Sequence, residues 1–137
     1  MLKYPTKSIG AILMMLMTIA NIGIFLVALL HAWFFILEAF LWQKPIGLKT
    51  FKLDPEFAKR SAALAKNQGL YNAFLSAGLV WSLLAAPLVG VQLKIFFLSC
   101  VTLAGIYGGL TVSYRITLIQ ALPAFVTLLL LLTTILA

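Results

Sequence analysis

Residues 9–42 read IGAILMMLMTIANIGIFLVALLHAWFFILEAFLW, an apolar run whose strongly polar members are Asn21, His31 and Glu38. As one helix it would measure about 50 Å, longer than the roughly 30 Å hydrocarbon core of a bilayer. It must therefore tilt, bend near Asn21-Ile22-Gly23, or push its C-terminal turns into the headgroups. A cleaved leader would also put Lys3 and Lys7 ahead of an apolar stretch, but this run is too long and lacks a small-x-small cleavage site. We read it as the first membrane helix.

The rest of the chain has the same character. Of its 137 residues only 9% are charged, against about 25% in soluble domains, which excludes a water-soluble globule. One cysteine, Cys100, excludes an internal disulfide, and its apolar surroundings suit an inert thiol. The length leaves room for about four spans of roughly 20 residues and for no separate soluble domain. A net charge of +7 raises nucleic acid as a partner. The basic residues fall between apolar runs, however, where anionic lipid headgroups account for them, and no nucleic-acid partner is expected.

The only extended polar stretch runs from Gln43 to Lys66. In it, Asp54-Pro55-Glu56 supplies an N-cap, a proline at the first helical position and an acid in the first turn, so a helix should start near Pro55. This amphipathic lead-in, with Phe57 and Leu64 toward the headgroup boundary, continues into a membrane part over about 67–86. Pro87 and Gly90 mark a turn and Tyr114-Arg115 another; Pro123 should free the carbonyl of Ile119. The expected fold is one all-α integral membrane domain over 1–137. It has four transmembrane helices at about 9–42, 55–86, 93–113 and 116–136, the second extended by a cytoplasmic lead-in, and a basic loop at 43–54.

Four spans put Lys3, Lys7 and Lys94 on one side, and Lys44, Lys49, Lys52, Lys59, Arg60, Lys66 and Arg115 on the other. The positive-inside rule then makes the long loop cytoplasmic and both termini external, in a multi-pass protein of the cell membrane. Strong polar groups gather in the cytoplasmic leaflet of every helix: His31 and Glu38, then Asn67, Gln68, Tyr71 and Asn72, then Tyr107, Tyr114 and Arg115, then Gln120. Unpaired in hydrocarbon they would cost several kcal/mol each, so they should face one another, a ligand or water. His31 and Glu38, seven apart on one helical face, are the candidate catalytic pair, because an imidazole titrates near neutrality. Asn67, Gln68, Tyr71, Asn72, Tyr107, Arg115 and Gln120 are candidates to line a pocket for an amphipathic or lipid-like molecule. The plainer reading makes the amides interhelical glue and His31 a satisfied interior histidine.

Gly105 and Gly109 form a small-xxx-small pair, and Gln120, Ala124, Thr127 and Thr134 a stripe on the last helix. Both suit close helix packing, and a homo-oligomer through them is expected. One His, one Cys and three acids supply no convincing metal site. No phosphate loop, triad or zinc signature is present, and no cofactor is expected.

The blocks His31 with Glu38-Ala-Phe-Leu-Trp42, Pro55-Glu-Phe-Ala58, Asn67-Gln-Gly-Leu-Tyr-Asn72, Ala104-Gly-Ile-Tyr-Gly108 and Gln120-Ala-Leu-Pro123 closely resemble the bacterial membrane-protein family known as domain of unknown function 1304. The resemblance implies a small four-helix membrane protein and no particular activity. A more distant similarity is to the membrane-associated proteins of eicosanoid and glutathione metabolism. Arg60, Asn67, Tyr107, Tyr114 and Arg115 stand at positions like theirs, but the glutamate three residues past the asparagine would be Leu70 here. Three readings follow. One is a ligand-binding or catalytic membrane protein, with a glutathione-dependent enzyme as a variant; the second is an accessory or structural subunit. The third is a transporter, against which the apolar outer half argues.

Overall fold

The structure, a computed structural model, describes residues 6–137, with side chains from Ser8 onward. Five helices account for most of it: α1 (Thr6–Ala39), the short α2 (Pro45–Phe51), α3 (Pro55–Leu84), α4 (Pro87–Thr111) and α5 (Tyr114–Leu136). α1 meets no helix breaker and runs unbroken through Asn21 and Gly23, so it does not break there. It closes when the N–H groups of Phe40 and Leu41 both return to the Ile36 carbonyl, at 3.1 and 3.2 Å.

Local chemistry sets the other boundaries. Asp54 Oδ1 accepts from the N–H groups of Glu56 and Phe57, each at 3.0 Å, with Pro55 opening α3. α4 starts earlier than expected because Pro87 opens the helix instead of lying in the turn, which shrinks to Ala85-Ala86. Gly90 is thus a helical residue, held against the carbonyl of Ser82 across the hairpin. In α5 the backbone widens to a π turn over Thr117–Ala121, and the Leu122 N–H reaches the Thr117 carbonyl just before Pro123. A π turn next to a proline is one of the recognised ways a helix adjusts to a missing donor.

The expected loop at 43–54 is largely folded. α2 ends on Lys52 in the left-handed region (φ 53°), and the Lys52 and Leu53 N–H groups both return to the Leu48 carbonyl. The Trp42 ring packs on Phe51 at 4.9 Å, and its indole N–H donates to Ser61 Oγ at 3.1 Å. These contacts pin the basic segment to the first turns of α3.

α1 lies along α3 and against α5, while α4 packs on α3 and α5, so α1 and α4 occupy opposite corners of the bundle. Ala20, Ile24, Val27, Ala28, Leu79, Leu98, Val101, Ala124 and Leu131 fill the centre. Large apolar side chains such as Leu26, Leu103, Leu110 and Leu129 face outward. α1, α4 and α5 are each long and apolar enough to cross a membrane; α3 is long, but its first half is polar. The chain is an all-α, multi-pass membrane bundle.

The small-residue motifs are used within the chain. A Cβ at Gly105 would lie 2.5 Å from the Ala121 backbone nitrogen, and one at Gly109 would collide with Thr117 Oγ1. On α5, Ala124 and Thr127 are buried, Thr127 facing Gly23 of α1, and Thr134 donates to Met17 Sδ at 4.0 Å. Within the chain, α4, α5 and α1 thus pack on one another through Gly105, Gly109, Ala124 and Thr127.

Gly105→Ala should destabilise the fold by about 1–3 kcal/mol, since the α5 backbone must move to admit the methyl group. Gly10→Ala, with nothing within 4 Å of its Cβ, should be neutral. Thermal unfolding in detergent compares the two; equal midpoints would contradict the packing described.

Candidate functional site

α3 turns toward α1 the face carrying Ala58, Ala65, Gly69, Asn72 and Leu79, all buried and spaced three, four or seven apart. Gly69 permits the approach, because a Cβ there would sit 3.1–3.3 Å from Ala39 N, Glu38 Cβ and Ala39 Cβ. At this level Asn72 Nδ2 donates to Glu38 Oε2 at 2.7 Å. One turn farther along, Ser76 Oγ donates to the Ala28 carbonyl at 2.9 Å.

Between these two levels on α1 lies His31, fully enclosed. Its Nδ1 is 2.9 Å from the Val27 carbonyl, which only accepts, so Nδ1 carries the hydrogen. In the neutral ring Nε2 then offers a lone pair, and no group among the described residues meets it. The Phe34 ring stands edge-on at 5.8 Å.

Beyond Glu38 the α1–α3 interface opens into a cleft of about 350 Å³, whose walls include Glu38, Phe40, Trp42, Lys44 and Lys66. Glu38, held by the Asn72 amide, is part of this lining together with the exposed Lys44 and Lys66. His31 does not line it.

Of the expected site, the structure joins Glu38 to Asn72, encloses His31 deeper along α1 with its Nδ1 on the Val27 carbonyl, and disperses the others. Asn67, Gln68 and Tyr71 project from the outer faces of α3, because the buried positions 65, 69 and 72 fix its rotation. Tyr107, 70% exposed, and Arg115 also face outward, and Gln120 is half-buried on α5. Lys44 and Lys66, which the sequence reading did not place in the pocket, also line the cleft. Among the described residues, no three His, Cys, Asp or Glu side chains could hold a metal ion together.

Residues 25–132, which include all of this site, match the family described as protein of unknown function (DUF1304). The chain belongs to the DUF1304 family. It is 32% identical over 99 residues to a Lactococcus lactis subsp. lactis (strain IL1403) protein named uncharacterized protein YpaA, a match spanning 69% of this chain and 81% of that one. No solved structure matches this DUF1304 chain. None of these findings links it to eicosanoid or glutathione metabolism.

A double-mutant cycle with Glu38→Ala and Asn72→Ala should give a coupling of about 0.5–1.5 kcal/mol in unfolding free energy, the range of hydrogen bonds within membranes. Strict additivity would show that the 2.7 Å contact contributes nothing.

Proposed function

We propose that this DUF1304 protein crosses the cell membrane four times and binds an amphipathic or lipid-like small molecule in the cytoplasmic leaflet. The polar part of the ligand would lie in the cleft between Glu38 and the ammonium groups of Lys44 and Lys66. One observation carries this reading: both signs of charge line a recess that adjoins an exposed apolar surface at Phe40.

A fourth span along α3 is supported by its packing beside α1 and by the two-residue turn that returns the chain into α4. The basic segment then faces the cytoplasm and both termini face outward, because it holds most of the positive charge. Lys3, and the Lys7 side chain, lie outside the described residues.

Binding is favoured over catalysis because His31, the candidate proton carrier, is enclosed and does not line the cleft. A glutathione-dependent reaction has less support, since Leu70 stands where that chemistry would place an acid. The second reading, an accessory subunit, is favoured by the outward Tyr71 and Tyr107, which offer polar contacts to a partner helix.

The test is mass spectrometry of molecules carried by the protein purified from its own membranes. The wild type should carry an amphiphile that the Lys44→Ser/Lys66→Ser variant loses and the Lys49→Ser control keeps. Equal content in all three would refute the cleft as the site. A co-purifying polypeptide lost on Tyr107→Ala, with no such amphiphile, would favour the accessory reading.

A further inference from the structure

The cleft at Glu38 holds a negative charge that its own walls leave unpaired. Among the described residues the carboxylate takes one hydrogen bond, from Asn72 Nδ2 to Oε2, and that amide brings no charge. Lys44 and Lys66 wall the same cleft, yet neither ammonium pairs with Glu38, and both residues are exposed. The half-buried carboxylate therefore keeps one oxygen, Oε1, whose lone pairs meet no donor.

The end of α1 adds acceptors of the same sign. The Phe40 and Leu41 N–H groups return to Ile36, Leu41 also reaches Leu37, and the Lys44 N–H turns back only as far as Leu41. No backbone N–H of the described residues thus comes to the carbonyls of Glu38, Ala39 and Phe40, which all belong to residues walling the cleft. Unpaired carbonyls at a helix C-terminus carry its negative partial charge. A carboxylate beside such carbonyls suits a donor that is also a cation. A multivalent metal ion fits poorly, because no three His, Cys, Asp or Glu side chains gather among the described residues. A primary ammonium fits well, having three N–H donors and charge-assisted bonds to give. A bare cation would be repelled by Lys44 and Lys66, so the molecule needs an anionic group on the same head.

We propose that Glu38 selects the ligand of this cleft by accepting a hydrogen bond from a primary ammonium. The amphiphile is then zwitterionic, with an amine and an anionic group in one head, as in an aminophospholipid. This rests on the cleft being the site of the amphiphile and adds the chemistry of its head.

Native mass spectrometry of the full chain tests it with three lipids of identical acyl chains. The wild type should retain phosphatidylethanolamine on the order of tenfold better than phosphatidylcholine, whose ammonium has no N–H, and than phosphatidylglycerol, which has no ammonium. This comparison needs no variant. Glu38→Gln, which keeps an acceptor for Asn72 but no charge, should lose the preference; a preference that survives it overturns the role of Glu38. Equal retention of the three lipids by the wild type, with loss in Lys44→Ser/Lys66→Ser, overturns the ammonium and leaves the cleft as a lipid site. Retention of every lipid unchanged in that double variant refutes the cleft itself, and the selection with it.

Discussion

A carboxylate at the end of an apolar helix must find a donor before the helix can rest against a neighbour, and in this protein that requirement organises the α1–α3 interface. Asn72 meets Glu38 at 2.7 Å, and it does so because Gly69 lets the two backbones close on each other one turn away. The rotation of α3 that satisfies Glu38 also buries Ala65 and Leu79 and turns Asn67, Gln68 and Tyr71 outward. The polar pair and the apolar contacts are consequences of one helix orientation.

Much of the fold was legible in the sequence because its signals are local. Asp54-Pro55-Glu56 announces the start of α3 through a side chain and a ring that act within one turn, and the apolar run of α1 needs no tertiary information to be helical. The proline at 87 was less transparent, since the residue type serves equally in a turn and at the first position of a helix; only the packing of Gly90 on the Ser82 carbonyl decides between them. The basic segment was read as a loop because α2 is short and held by a contact distant in sequence, Trp42 to Ser61.

The site was legible only in part, for a related reason. Depth along a helix follows from counting residues, so the level of each polar group along its own helix could be read directly. Azimuth around the helix depends on neighbours that the sequence does not name. His31 and Glu38 share a face by their spacing, yet His31 bonds to Val27 and Glu38 to Asn72, whereas Tyr107 and Arg115 share only their depth and face outward. The two glycines of α4 illustrate the same point: a small-residue motif reveals that something approaches closely, and here it is the α5 backbone at Ala121 and the side chain of Thr117.

Between the Glu38 end and the Lys94 end, the centre of the bundle is filled chiefly by alanine, valine, leucine and isoleucine side chains, with His31, Thr102 and Thr127 buried among them. Thr102 and Thr127 donate to the Leu98 and Pro123 carbonyls of their own helices, which leaves the His31 ring anchored by one hydrogen bond in a mostly oily layer.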